Sequence, residues 1–451
     1  MKYYLKTIAG IALMTLIFGN PARADGKKDT ITQARDKAIE WLKNQKVPNS
    51  VVPDPQPERR NLLLSYEIPE NSPDYKYIYG RSIIYDDALA VIAFVMNKDY
   101  RNASLVLQAL KRQQRKDGGI WFGYNVNNDW PSELDFSGST DRTGATSWVG
   151  YASVYYLQQK VKESPDALST KEARELLGFT KSIADYLLKL QVREENDLRY
   201  GLITGGRNSV VLKYENNAVI EVFQEGSIDW ISAEHNIDAY YFLRDLGLLV
   251  KEIKYISAAD NIKSGLLRIW SPVDRQYFRG IKPLFVDTAL ALDCASWGAV
   301  FSISAGKIEY ARESIGAIES MYASYYTTPE NITVNGYKPY AVKDIYEETD
   351  SKIIPFYFPD KKSTWKELNG VWVEGSLGVA MAYLKLGERE KVKSILEQMI
   401  ALQNERGGFT YFTMDIPHEF SKHPSVASTA WFVIVATAYA DKTALDGFWG
   451  K

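Results

Sequence analysis

Six segments of the chain are apolar on nearly every face of a helix, and this feature restricts the fold more than any other. The six predicted segments are Asp86–Met96, Thr146–Leu157, His235–Leu249, Asp287–Ser304, Glu374–Leu386 and Ser428–Ala440. A helix that is apolar all round must be buried all round. Six amphipathic segments alternate with them, predicted at Thr30–Asn44, Arg101–Gln114, Lys171–Leu190, Ile253–Ile269, Lys307–Tyr325 and Arg389–Leu402. The sequence therefore predicts six buried helices coated by six outer helices.

Short turns join several buried helices to the outer helix that follows, for example at residues 97–100 and at Gly387-Glu388. This arrangement is typical of helical hairpins. The chain begins with an outer helix and ends with a buried one, so the two ends must pair to complete the sixth hairpin. The spacing of the repeats is too irregular for an open solenoid. We expect an all-α fold, an (α/α)6 barrel or six-hairpin toroid, formed by residues 25–451 as a single domain.

The connections that lead into the buried helices are the long ones, and they should gather at one rim of the ring. Long loops at one mouth usually carry function. Two loops that leave outer helices share a Gln and a Gly-Gly pair followed by aromatic residues, at 114–122 and 403–412, with a weaker copy at 191–201. Each Gly-Gly is expected to end a helix by supplying a positive φ.

Residues 1–24 have the pattern of a secretory signal peptide. Lys2 and Lys6 precede a short apolar run, and Ala22-Arg23-Ala24 forms a small-residue cleavage site. The apolar run is shorter than the roughly 20 residues that span a bilayer. We expect cleavage before Asp25, export to the periplasm or the medium, and no membrane span in the mature chain.

The composition excludes several classes of partner and cofactor. A net charge of −2 gives no reason to expect nucleic acid or an anionic membrane as partner. Cys294 is the only cysteine, and the three histidines are His235, His418 and His423, without the spacing of a histidine-rich metal site. No phosphate-binding loop, dinucleotide fingerprint or serine nucleophile elbow occurs. We expect no metal and no cofactor.

Polar residues stand at the starts of the buried helices. Asp87, Asp287, Thr146 and Ser428 are explained as helix caps, because Asp, Ser and Thr are preferred there. Glutamate is a poorer cap, so Glu234 and Glu374 need another explanation. Both should point into the central cavity of the ring.

The arrangement resembles the six-hairpin glycosidase superfamily, the (α/α)6 glycoside hydrolases. The likeness is carried by residues 85–90 (Tyr-Asp-Asp-Ala-Leu-Ala), 232–236 (Ser-Ala-Glu-His-Asn), 372–375 (Trp-Val-Glu-Gly) and 428–431 (Ser-Thr-Ala-Trp). The resemblance implies acidic residues around an aromatic-lined sugar cleft, and hence a polysaccharide or oligosaccharide as partner.

Glycoside hydrolysis needs one carboxylic acid to protonate the leaving oxygen and one carboxylate to activate water or attack the sugar. Glu374, between Trp372 and Gly375, is the candidate acid, because burial beside aromatic rings raises the pKa of a carboxyl. Glu234 is the candidate partner, and Asp86 with Asp87 is the reserve pair.

Thirteen per cent of the residues are aromatic, more than a helical core needs, so some are expected to stack on sugar rings. The candidate substrate-binding residues are Trp121, Tyr124, Trp130, Asp141, Arg142, Trp148, Trp230, His235, Asn236, Trp372 and Trp431. Arg142 and His235 would contact sugar hydroxyls or a uronate.

Three alternatives stay open. The Gln, Gly and Trp residues at 114–121 and the Asp86-Asp87 pair also resemble squalene-cyclase-like toroids, although export argues against that class. A non-catalytic ring that binds an envelope polysaccharide would keep the aromatic cleft without an acid pair. A lyase or epimerase that acts on a uronic acid polymer would need a cationic subsite near Arg142 and a Tyr or His base.

Overall fold

A computed structural model describes residues 29–72, 75–129, 131, 137–215, 218–341, 365, 368–416 and 419–450. The predicted signal peptide (1–24), Trp130 and His418 lie outside the described residues. None of the described helices is long and apolar enough to cross a membrane.

Twelve helices of 12 or more residues lie within the described ranges. The inner helices are α2 (Ile84–Met96), α4 (Thr143–Glu163), α6 (Ala233–Val250), α8 (Leu292–Ser304), α10 (Val373–Leu386) and α12 (Val426–Ala440). The outer helices are α1 (Thr30–Gln45), α3 (Tyr100–Arg112), α5 (Lys171–Lys189), α7 (Ile253–Leu267), α9 (Ile308–Met321) and α11 (Arg389–Ile400). Short helical segments are found at Pro57–Arg59, Tyr75–Ile78, Ser137–Ser139, Ala167–Ser169 and Lys442–Gly447.

The helices close into a ring. Each inner helix packs against the next inner helix, and α12 packs against α2. Each inner helix from α2 to α10 packs against the outer helix that follows it, and α1 packs on α12 to complete the sixth hairpin. The all-α fold and the (α/α)6 toroid predicted from the sequence are therefore confirmed.

One predicted helix start is wrong. The fourth inner helix begins at Leu292 and not at Asp287. Asp287 ends a short strand and accepts a hydrogen bond from Arg279 Nη2 at 2.5 Å, so it does not cap an inner helix. The error matters because it hid Asp293, the acidic residue at the start of this helix.

Short antiparallel strands lie mainly in the connections that enter the inner helices. They are β1 (Arg81–Ile83), β2 (Gly123–Asn125), β3 (Asp141–Arg142), β4 (Gly206–Glu215), β5 (Ala218–Ile228), β6 (Ile231–Ser232), β7 (Trp270–Ser271), β8 (Gln276–Tyr277), β9 (Gly280–Lys282), β10 (Phe285–Asp287), β11 (Ala323–Thr327), β12 (Thr333–Tyr337), β13 (Phe409–Thr410) and β14 (Pro424–Ser425). They pair as β1-β2, β3-β4-β5, β6-β9-β10, β7-β8, β11-β12 and β13-β14. The β4-β5 hairpin occupies much of the connection 201–233, which the sequence analysis treated only as a loop.

The repeated glutamines are structural straps between neighbouring outer helices. The Gln403 amide donates to the Gly407 carbonyl and to the Ala34 carbonyl of α1, both at 2.9 Å. Gln114 makes the same bonds to Gly118 and Phe179, and Gln191 makes them to Gly201 and Ala258. Gly407 has the expected positive φ of 107°, but the predicted role as a helix end is wrong, because α11 already ends at Ile400. A Cβ at Gly407 would lie 2.3 Å from the Lys37 carbonyl oxygen. These segments therefore hold the ring together.

Aromatic residues fill the ring below the starts of the inner helices. Phe448 and Trp449, which follow the last helical segment, insert among Trp148, Trp297 and Trp431. We call these five residues the aromatic plug. The Lys385 amino group donates to the carbonyls of the inserted segment, including that of Trp449 at 3.1 Å. The space between the inner helices is therefore filled by aromatic rings at this level.

Candidate active site

All six inner helices begin with the same backbone contact, which gives them a common register. The first amide N–H of each helix donates to a loop carbonyl, as Ala233 donates to Arg279 at 2.9 Å and Val373 to Tyr411 at 3.1 Å. The residue after this contact is therefore equivalent in all six helices. In chain order these residues are Tyr85, Gly144, Glu234, Asp293, Glu374 and Ala427. Three consecutive inner helices, α6, α8 and α10, thus place a carboxyl group at this position.

Two positions further along, four of the six side chains accept a hydrogen bond from the backbone of a loop. Asp87 Oδ1 accepts the Leu63 amide at 2.8 Å, and Asn236 Oδ1 accepts the Ile203 amide at 2.8 Å. Ser376 and Thr429 do the same for other loops. Asp87 was a predicted reserve catalytic residue and Asn236 a predicted substrate contact. We correct both assignments, because their polar atoms are used to fix backbone loops.

Glu374 combines deep burial with a specific hydrogen-bond chain. Only 5% of its surface is exposed, and the Tyr85 hydroxyl donates to its Oε1. The Trp431 indole N–H donates in turn to the Tyr85 oxygen at 3.0 Å. Burial raises the pKa of Glu374 to about 8, and Asp86 and Glu234 add to the rise while Tyr85 opposes it. Glu374 is therefore largely protonated at neutral pH.

Asp86 belongs to the same group of carboxyls. It is buried, and burial raises its pKa to about 7, opposed by a hydrogen bond from Ser65 and by the charge of Arg81. The negative charges of Asp86 and Glu374 both raise the pKa of the Tyr66 hydroxyl. Of the predicted Asp86-Asp87 pair, only Asp86 contributes to the site.

Glu234 and His235 follow each other at the start of α6 and are less buried than Glu374. Both side chains are half-buried. Burial raises the pKa of Glu234 to about 7, and the nearby Arg142 guanidinium opposes this rise. Burial and the same arginine lower the pKa of His235 to about 3, so its imidazole is neutral. Gly144 makes room for this ring, because a Cβ there would lie 2.4 Å from His235 Cδ2.

Sequence reasoning missed two further carboxyls. Asp293 occupies the common position on α8, and burial together with Glu234 and Glu374 raises its pKa well above the ordinary value. Asp238 lies one turn after Glu234 on α6, and its pKa is also raised by burial and by its acidic neighbours. The four-residue spacing from Glu234 was a signal for Asp238. Asp293 had no such signal, because the predicted helix start was wrong.

One wall of the site is aromatic. Trp372 packs edge-on against Tyr411 at a centroid distance of 6.4 Å, and Tyr411 packs against Tyr66 at 5.9 Å. Phe420 stacks on Tyr411 at 5.6 Å. Trp372 was predicted, whereas Tyr66, Tyr411 and Phe420 were not. On the opposite side, Trp230 packs edge-on against His235.

Several predicted substrate contacts are packing residues. Trp148, only 2% exposed, and the fully buried Trp431 belong to the aromatic plug. Tyr124 is buried and accepts the Trp121 amide at 3.1 Å. Asp141 is fully buried in an ion pair with an arginine. We correct these four assignments, because none of these side chains offers a surface to a ligand.

The side chains of Trp121 and Arg142 remain at least partly exposed to solvent. Trp121 is half-buried, and the Arg115 guanidinium covers one face of its ring at 4.1 Å. Arg142 is exposed and lies over the Phe122 ring at 4.0 Å. Its positive charge lowers the pKa of both Glu234 and His235. Of these two residues, Arg142 is the better placed for a substrate.

Comparison with known proteins shows the fold. No protein-family model matches the chain, and no curated protein matches its sequence. A family 76 glycoside hydrolase from a bovine Bacteroides thetaiotaomicron strain has 12% identity and a TM-score of 0.55, with 92% of this chain and 78% of that chain covered. A D-mannose isomerase has 13% identity and a TM-score of 0.56, with 94% and 100% covered. The GH63 mannosylglycerate hydrolase from Thermus thermophilus in complex with glucose has 13% identity and a TM-score of 0.55, with 89% and 99% covered.

These similarities confirm the predicted resemblance at the level of fold. The chain has the (α/α)6 toroid fold, which it shares with these proteins.

Proposed function

We propose that this protein hydrolyses glycosidic bonds of a polysaccharide or oligosaccharide, with Glu374 as general acid and Glu234 as its partner. The observation that carries the proposal is the state of Glu374, a buried and largely protonated carboxyl at the start of an inner helix, held by the Tyr85 hydroxyl. A carboxyl that keeps its proton near neutral pH is what protonation of a glycosidic oxygen requires.

In the proposed reaction, the Glu374 proton moves to the glycosidic oxygen as the bond from that oxygen to the sugar breaks. The Tyr85 hydroxyl then stabilises the Glu374 carboxylate that is formed, because a donated hydrogen bond favours the ionised carboxyl. Glu234 is half-buried and lies near Arg142, which favours its carboxylate form. That carboxylate either removes a proton from water or attacks the sugar.

The surroundings support a saccharide as substrate. Trp372, Tyr411 and Tyr66 form an aromatic wall beside Glu374, and aromatic faces pack well against the C–H faces of sugar rings. Arg142 supplies an exposed, charged donor near Glu234. Two of the proteins that share the fold are named as glycoside hydrolases, which favours this substrate class.

A second candidate is an isomerase, an epimerase or a lyase that uses a side-chain base. The imidazole of His235 favours it, because this side chain is neutral and only partly buried and its Nδ1 has no hydrogen-bond partner among the described residues. One of the proteins that share the fold is named as a D-mannose isomerase. A lyase would produce unsaturated uronates, and an isomerase would produce no new reducing ends.

The two remaining alternatives have less support. The glutamine and glycine residues that suggested a squalene-cyclase-like toroid act as straps between outer helices, and Asp87 holds a loop. A non-catalytic saccharide-binding ring has no use for a buried, protonated Glu374.

The test is a panel of neutral and acidic polysaccharides, with new reducing ends and unsaturated uronates measured for the wild type and for Glu374→Gln. Glu319→Gln is the matched control, because Glu319 also accepts a tyrosine hydroxyl, from Tyr337 at 2.9 Å, but lies on the outer helix α9. We expect reducing ends with the wild type and the control and a loss of at least about a hundredfold with Glu374→Gln. Full activity of Glu374→Gln on a substrate that the wild type degrades would refute the proposed acid.

A further inference from the structure

Residues 441–450 form a segment that follows the last inner helix and turns back into the ring. α12 ends at Ala440, a short helical segment covers Lys442–Gly447, and the next two side chains pack among the inner helices. These side chains are Phe448, which is fully buried, and Trp449, which is only 2% exposed. We call residues 441–450 the inserted segment.

The inserted segment is held by polar contacts as well as by its rings. The Lys385 amino group donates to three carbonyls of this segment, at 2.7 Å for Leu445 and 3.1 Å for Trp449. The Trp449 amide donates to the Tyr151 hydroxyl at 2.8 Å. Hydrogen bonds from a charged donor are the stronger ones, so Lys385 fixes the backbone of the segment. Lys385 lies near the end of α10, the helix that carries Glu374 at its start.

The two rings of the inserted segment pack on two tryptophans that contact Tyr85. The Trp431 indole N–H donates to the Tyr85 hydroxyl oxygen at 3.0 Å, and Trp148 packs edge-on against the Tyr85 ring at 5.6 Å. The Trp431 ring lies 5.9 Å from both Phe448 and Trp449. The Trp148 ring lies 5.4 Å from Trp449 and 6.3 Å from Phe448. The inserted segment therefore contacts both tryptophans that hold the side chain of Tyr85.

The orientation of the Trp431 indole depends on these contacts. Trp431 is fully buried and packs against four aromatic rings among the described residues. Two of these rings, Trp148 and Trp297, belong to inner helices, and the other two belong to the inserted segment. An indole has a single N–H at one edge of its ring, so a rotation of the Trp431 ring would break its bond to Tyr85.

We propose that the inserted segment positions the proposed general acid, because its two rings hold the Trp431 indole in the orientation that donates to Tyr85. This inference rests on the proposed function and deepens it. The Tyr85 hydroxyl accepts from Trp431 and donates to Glu374, and hydrogen bonds in such a chain strengthen one another. Burial raises the pKa of the Tyr85 hydroxyl, and the Trp431 N–H opposes this rise, which makes Tyr85 a better donor. Phe448 and Trp449 are therefore positioning residues that act through Trp431.

The first experiment follows the indole N–H groups of the protein by NMR, after its eleven tryptophans are labelled with nitrogen-15. Trp431→Phe and Trp41→Phe assign two of the signals. Trp41 is the internal control, because it is also buried and donates to Glu67 at 2.8 Å. In Trp449→Leu, hydrogen exchange of the Trp431 N–H should become at least about tenfold faster relative to that of Trp41 than it is in the wild type. A loss of global stability alone would accelerate both N–H groups by the same factor.

Lys385→Met is a second variant, which leaves all the rings in place. It removes the amino group that holds the inserted segment, so it should accelerate exchange of the Trp431 N–H as Trp449→Leu does. Lys442→Met is its matched control, because this lysine lies on the inserted segment but pairs with an acid of the same segment at 2.6 Å. An exchange rate of Trp431 relative to Trp41 that is unchanged in both Trp449→Leu and Lys385→Met would overturn the inference.

The second experiment measures the pH dependence of kcat/KM on a substrate that the wild type hydrolyses. Trp449→Leu should move the alkaline limb to higher pH by about half a unit, because Tyr85 becomes a weaker donor to Glu374. Trp449→Leu should add nothing to the shift that Tyr85→Phe causes, since it acts through the Tyr85 hydroxyl. Trp41→Leu should lose stability without a shift of the limb.

The outcomes separate this inference from the proposed function. Hydrolysis with an unchanged Trp431 signal, or with additive shifts in the Trp449→Leu and Tyr85→Phe double variant, would refute the role of the inserted segment and leave the proposed function intact. Faster exchange of the Trp431 N–H without cleavage of any substrate would refute the proposed hydrolase and support the control of the Trp431–Tyr85 bond by this segment.

Discussion

Tyr85→Phe is the most informative single change, because it removes the hydroxyl that links Trp431 to Glu374 through two hydrogen bonds. The Tyr85 hydroxyl donates to Glu374 Oε1 and accepts the Trp431 indole N–H at 3.0 Å. A hydrogen bond to a charged group contributes about 1.5–3 kcal/mol, and 1.36 kcal/mol corresponds to about one pKa unit. Because this bond stabilises the carboxylate, its loss should raise the pKa of Glu374 by about one to two units above about 8.

The assay is the pH dependence of kcat/KM, whose alkaline limb reports loss of the proton from the general acid. In the wild type this limb should lie near pH 8, and in Tyr85→Phe it should move to higher pH by about one to two units. The variant should also be less stable by about 1–3 kcal/mol, because the buried Trp431 N–H loses its acceptor.

Tyr277→Phe is the control for a buried tyrosine hydroxyl, which in this residue pairs with Ser302 at 2.8 Å, away from Glu374. It should lose some stability and keep the wild-type pH profile. An alkaline limb that stays in place in Tyr85→Phe, or moves to lower pH, would contradict the role given to this hydrogen-bond chain.

Three further predictions concern the stability of the ring. Burial raises the pKa of Glu374 from 4.5 to about 8, so the folded state holds this proton more tightly than the unfolded state does. The stability that this group contributes is therefore lost as the pH rises between these two values. In urea titrations Glu374→Gln should be more stable than the wild type by about 1–3 kcal/mol at pH 8 and by less at pH 5. Trp449→Ala removes a ring stacked on Tyr241 at 5.0 Å and should cost about 3–5 kcal/mol in calorimetry, whereas an unchanged melting temperature would mean that the plug does not support the ring. Gln403→Ala breaks the strap to Ala34 and should cost about 1–2 kcal/mol by chemical denaturation, and a neutral result would leave the repeated Gln-Gly segments unexplained.

The ring was predictable because the hydrophobic pattern that indicates it recurs in twelve segments of the sequence. Helices such as 428–440 are apolar on every side, and only burial on all sides explains that pattern. Glu234 and Glu374 were predicted by a different argument, because each stands at a helix start and glutamate is not a preferred cap. Their local sequence alone identified them as candidates.

Other parts of the site depend on contacts that a linear sequence does not show. Asp293 was hidden by an error of five residues in the start of its helix, since Asp287 resembled a cap and instead pairs with Arg279. Trp148 and Trp431 were assigned to the substrate because periodicity does not separate the floor of a cavity from its lining. Their true neighbours, Phe448 and Trp449, come from a distant part of the chain.

The most direct test of the account is the fate of the water oxygen. The protein is incubated with a polysaccharide from the panel in water enriched in oxygen-18, and the masses of the products are measured by mass spectrometry. A glycoside hydrolase should add one oxygen-18 atom for each bond it breaks, and Glu374→Gln should suppress this product. Products with unsaturated uronates and no oxygen-18, or isomerised sugars with no bond cleaved, would contradict the central claim and support a lyase or an isomerase instead.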